Sequence, residues 1–121
     1  MLAGRRFLQN YFDGLFIKKD LSFIDKYMDQ EYFDYDIGPS VKDHIKNSKE
    51  FLKDIFEKQP NLRVIVKKVK RIGSILCAQL QWVIIENRIK KLYMEGIATF
   101  EIKKQKIRKR NTLIYIDNSK D

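Results

Sequence analysis

The chain has one histidine, one cysteine, one tryptophan, two prolines and five glycines in 121 residues. The lone cysteine, Cys77, excludes an internal disulfide, which fits a reducing, cytoplasmic setting. The lone histidine, His44, excludes a His-based metal cluster. No carboxylate spacing replaces it, so neither a metal nor another cofactor is expected. Long apolar runs are missing as well: Trp82-Val83-Ile84-Ile85 is far too short to cross a bilayer, so no membrane partner is expected. Arg5-Arg6 is followed by Gln9, Asn10 and Asp13 rather than an unbroken apolar stretch, and no signal peptide is expected.

What the chain has in quantity is apolar surface and positive charge. A hydrophobic fraction of 44% with 12% aromatics excludes a disordered chain and supports one domain spanning 1–121, with residues 118–121 as a loose polar tail. Lys and Arg number 25 against 16 Asp and Glu, a formal charge of +9. Such a surface attracts phosphates and acidic partners. Lysine and isoleucine are both abundant, however, which AT-rich coding produces without selection for binding. The cations also cluster where strand ends and turns are expected. No zinc spacing, aromatic–glycine RNA motif or helix-turn-helix pattern accompanies them, so nucleic acid is not an expected partner.

The first half reads as helix. Phe7, Leu8, Tyr11, Phe12, Leu15 and Phe16 recur at three- and four-residue spacing on one face. Lys18-Lys19-Asp20 breaks that helix, and a short second one follows with Leu21, Ile24 and Tyr27-Met28 inward. Tyr32 to Asp36 alternates as a short strand or extended loop. Ile37-Gly38-Pro39 turns the chain, and Ser40 to Asp43 spells S-x-x-D, a capping-box-like start with Ser40 as cap. The helix it opens carries Ile45, Phe51-Leu52, Ile55 and Phe56 inward and ends before Pro60. From Leu62 the period becomes two: four long strands, with turns at Gly73, at Asn87-Arg88 and between Lys103 and Lys106. Three helices followed by a curved antiparallel meander make an α+β unit, with room for a pocket between sheet and helices.

Several segments together resemble the SnoaL-like branch of the nuclear-transport-factor-2 superfamily. Asp20-Leu21-Ser22-Phe23-Ile24 is similar to the family's "x-D-L-x-x-I" entry to the second helix, and Pro60-Asn61-Leu62-Arg63-Val64 to its "F-P-D-L-R-V" entry to the first long strand. Gly96 to Ile102, followed by Lys106-Ile107, resembles "G-x-D-x-F-x-F…G-K-I". The likeness runs from Phe7 to Asp117 and implies a cone-shaped fold with a central pocket. Its members include steroid isomerases, polyketide cyclases, epoxide hydrolases, dehydratases and non-catalytic binding proteins, so the fold leaves the activity open.

The resemblance places Asp36 where isomerase-like members carry a proton-moving carboxylate. It places Phe12 and Ala98 where their oxyanion donors stand. Neither has a donor, and Tyr11 is one residue off, which argues against steroid isomerisation. Arg110 and Asn111 replace the cyclases' histidine and tryptophan. Asp117, sharing a strand face with Asn111, Leu113 and Tyr115, remains a second candidate acid. His44 is expected on the surface, and Cys77 as an inert half-buried thiol. The leading expectation is a domain that binds a small apolar or carbonyl-containing molecule in a pocket lined by Phe12, Phe16, Trp82, Met94, Phe100 and Tyr115, with Asp36 at its mouth. The alternatives are a cofactor-independent isomerase, cyclase or hydrolase with Asp36 or Asp117 as proton carrier, and a homodimeric interaction module built on the sheet face.

Overall fold

A computed structural model describes residues 4–119. Helix α1 (Gly4–Phe16) and the short α2 (Ser22–Tyr27) lead into strand β1 (Met28–Asp34). Helix α3 (His44–Lys58) then precedes β2 (Leu62–Ile72), β3 (Ile75–Glu86), β4 (Ile89–Lys103) and β5 (Lys106–Asp117). The five strands form one curved sheet in the order β1-β5-β4-β3-β2. The four long strands pair antiparallel, whereas β1 runs parallel to β5, with Phe33 opposite Lys109 and Asp34 opposite Arg110.

The α1 stripe forms as its spacing predicts: Leu8, Tyr11, Phe12, Leu15 and Phe16 are all buried. Its polar residues do a second job at the sheet edge. The Gln9 carboxamide donates to the Val64 carbonyl and accepts from the Val66 amide, both at 2.8 Å, as a further strand would. Arg5 adds a 3.1 Å bond to the Val66 carbonyl. The helix therefore closes an edge that would otherwise offer unpaired backbone groups. Lys19, at φ 56°, lies in the loop between α1 and α2.

The hairpin expected at Asn87-Arg88 has both residues at positive φ, 50° and 65°, and Lys104-Gln105 repeats that geometry. Both are two-residue turns whose backbone suits the twist of the flanking strands.

Three expectations are corrected. Helix α3 starts at His44 rather than after Ser40, and its cap is Asp43, whose Oδ1 accepts from the Lys46 amide at 3.0 Å. Replacing Asp43 with alanine should cost about 1 kcal/mol. Urea titration would read this, and no shift in midpoint would remove Asp43 as the cap. On the same helix Leu52 is buried but Phe51 is 61% exposed, so the helix faces the sheet through a narrower stripe than its sequence implies. Of the tail expected at 118–121, Asn118 is held to β4 by its amide on the Tyr93 carbonyl, 2.8 Å, and its Nδ2 on the Leu92 carbonyl, 3.2 Å. Residues 120–121 lie outside the described ones.

Candidate functional site

Between α1, α3 and the inner face of the sheet lies a cavity of about 650 Å³. Phe12 and Phe16 from α1, Leu52 from α3, Trp82 from β3, Met94 from β4 and Ile114 from β5 give it apolar walls. The strands supply these residues because alternate positions face inward: Val64 lies opposite Trp82, and Trp82 opposite Met94.

One end of the cavity is polar, and the pairing of β1 with β5 assembles it. Asp34, 9% exposed, sits at the end of β1. Its Oδ2 accepts from the Tyr32 hydroxyl at 3.0 Å and its Oδ1 from the Asp36 amide at 2.9 Å. Its own amide donates to His44 Nδ1 at 2.9 Å. That bond requires a lone pair on Nδ1, so the ring proton is on Nε2, which donates to the Val41 carbonyl at 2.9 Å. His44 is therefore not the surface residue expected. It is 4% exposed, stacked on Phe33 at 4.5 Å, and pins the loop between β1 and α3.

Opposite Asp34, Arg110 projects inward from β5. Its guanidinium lies 5.7 Å from the Phe12 ring centroid and 5.5 Å from that of Phe100. Nε donates to Thr112 Oγ1 at 3.1 Å. Among the described residues, Arg110 makes no ion pair, and its two terminal nitrogens have no hydrogen-bond acceptor.

Tyr11 and Tyr32 complete this end, and burial pushes both phenols well above the ordinary tyrosine range. Arg110 opposes that rise in both, and Asp34 adds to it. Tyr11 is 1% exposed, and its hydroxyl has no hydrogen-bond partner among the described residues. Asp36 stands at the rim. Burial is the main force lifting its carboxyl above the usual range, and the neighbouring charge of Asp34 adds to it. Arg110 and hydrogen bonding from Thr112 pull the other way.

The structure thus brings Phe12, Phe16, Trp82, Met94 and Asp36 to one cavity and leaves three expected residues elsewhere. Phe100 is fully buried behind Arg110, in the core rather than at the cavity wall. Tyr115 lies on the outer face, where its hydroxyl donates to Glu95 Oε2 at 2.5 Å and accepts from Gln79 at 3.1 Å. Asp117 is exposed, pairs with Met94 across β4, and accepts from Ser119 through Oδ1. It is not among the cavity-lining residues. Cys77 is half-buried on β3. No group of three or more His, Cys, Asp or Glu among the described residues is arranged to hold a metal ion. No helix among them is long and apolar enough to cross a membrane.

Tyr11, Tyr32, Asp34 and Arg110 were missed in this role. The signal for Tyr11 was available, since the helix stripe already carries it inward beside Phe12.

Neither a family model nor a curated protein matches the sequence. Solved structures do match the fold. A SnoaL-like polyketide cyclase from Agrobacterium tumefaciens superposes with a TM-score of 0.72 at 15% identity, covering 94% of this chain and 92% of that one. TsrD from Streptomyces laurentii gives 0.73 at 14% identity, with the same two coverages. A loop-truncation variant of IdmH gives 0.73 at 8% identity over 91% of both chains.

Proposed function

For a chain that has the SnoaL-like, nuclear-transport-factor-2-like fold, we propose a small-molecule-binding domain whose ligand lies in the cavity between α1, α3 and the sheet. The observation that carries this reading is the cavity itself: about 650 Å³, apolar on most sides, with its polar groups gathered at one end. That is the usual plan of a site that buries a ring or chain and fixes one functional group. A flat, ring- or carbonyl-containing molecule suits it. Native mass spectrometry of the purified protein tests the reading. An added mass that leaves on denaturation is the expected result. Bare spectra, together with no thermal shift from a panel of aromatic ketones and acids, would overturn it.

A second reading, an enzyme that moves a proton, rests on Asp36. A carboxyl held above its usual range at the edge of an apolar cavity keeps its proton to higher pH and is a better base once ionised. The alternative acid, Asp117, has no such setting. The test uses α-proton exchange of 2-tetralone in D2O. The wild-type protein should accelerate exchange, and Asp36→Asn should slow it by about 10²-fold or more. Trp82, the only tryptophan and a wall of the cavity, should still report tetralone binding by fluorescence in both proteins. Exchange that is equally fast in the variant removes Asp36 from the chemistry.

The sheet's outer face carries Ile97 opposite Leu113, the latter 68% exposed, and supports a second copy as partner. The same native spectra read whether the particle contains one chain or two.

A further inference from the structure

We infer that Arg110 is the anchor for an anionic group on the ligand, so that the cavity takes a flat apolar carboxylic acid rather than a neutral molecule of the same shape. This rests on the small-molecule reading above and narrows it.

Three observations carry the inference. Arg110 is the only cation among the residues lining the cavity. Its position is fixed: the rings of Phe12 and Phe100 lie against it and Thr112 takes Nε, while among the described residues no carboxylate forms an ion pair with it, although its charge reaches Asp36. Its remaining donors therefore have no acceptor among the described residues. A guanidinium against apolar walls attracts an acceptor, and its paired N–H groups match the two oxygens of a carboxylate.

The nearby carboxylates leave that place open. Both oxygens of Asp34 face protein donors, the Tyr32 hydroxyl and the Asp36 amide. Asp36 stands at the rim beside Thr112, on the same inward face of β5 as Arg110. The unpartnered Tyr11 hydroxyl feels the charge of Arg110 and supplies one further donor to an anion there. The ring of such an acid would lie along the walls formed by Phe12, Trp82 and Met94.

The experiment compares 2-naphthoate with 2-naphthamide, its neutral isostere, by isothermal titration calorimetry. Wild-type protein should bind the acid at least about tenfold more tightly than the amide, as expected of a charge-assisted, forked pair. Arg110→Met, which keeps an apolar stem against Phe12 and Phe100, should bind both alike. Arg110→Lys should keep only part of the preference, because a point charge cannot fork. Far-ultraviolet circular dichroism checks that each variant is folded. If wild-type protein binds acid and amide equally, the anchor is wrong and the small-molecule reading stands. If the preference survives in Arg110→Met, or is undiminished in Arg110→Lys, the anion is held elsewhere and the anchor is wrong. If wild-type protein binds neither compound, the anchor for a flat aromatic acid is wrong, and the small-molecule reading is decided by the native spectra and the ligand panel.

Discussion

Phe100→Ala should lower the stability of the fold by about 3–5 kcal/mol, the loss found when a large buried ring is cut back to a methyl group. Phe100 has no exposed surface. It sits on β4 between Leu76 of β3 and Arg110 of β5, and its ring meets that of Phe12 edge-on at 6.3 Å. The neighbours are backbone-paired strands, so they cannot close over the space left behind, and the cavity cost is added to the lost burial. The same change removes one of the two rings that position the Arg110 guanidinium. Loss of stability should therefore come with a fall in the preference for naphthoate over naphthamide, measured on the folded fraction well below the melting temperature. A loss under about 1 kcal/mol would mean that the sheet collapses onto the gap and that Phe100 is not the keystone of this layer.

Gly96→Val is expected to be as damaging, for a different reason. A Cβ at Gly96 would lie 2.4 Å from the Leu113 carbonyl oxygen and 3.1 Å from the Ile114 Cα. These are backbone atoms of the paired strand, at the point where the β4–β5 register shifts. The only relief is separation of the strands, so the cost should be about 3 kcal/mol or more, at the upper end for overpacking. Hydrogen exchange should show faster opening of the amides of Ile97 and Leu113 than of those in β2. Gly14 provides the contrast: the nearest atoms to a Cβ there, from 2.1 Å, belong to the Phe23 ring, a half-buried side chain rather than backbone. Unchanged exchange in β5 would show that the bulge absorbs the side chain.

Much of the fold was legible because each element's period is strong. The α1 stripe and the alternation of Leu62, Val64 and Val66 both survive folding intact. The polar end of the cavity was less legible. Strand β5 carries apolar residues on both faces, Leu113 and Tyr115 on one and Ile114 on the other. Its own pattern therefore does not say which face turns inward. Pairing with β4 decides it in favour of Arg110, Thr112 and Ile114, and Tyr115 goes outside. Asp34 and Tyr32 were hidden for a related reason. β1 is short and parallel to a strand far along the chain, and no local signal names that partner. His44 looked solvated because Ser40 resembled a helix cap. With the helix starting later, the histidine falls where the Asp34 amide needs an acceptor.

The pairing of β1 with β5 also has a consequence during synthesis. While β5 is still inside the ribosome, Asp34 has no Arg110 opposite it, and β4 has only one neighbour. A nascent chain thus exposes Trp82 and Phe100 on an incomplete sheet, a surface that invites chaperones or association with other chains. The polar end of the cavity comes into being only when β5 slots between β1 and β4, so the gathering of its charged groups and the completion of the sheet are one event.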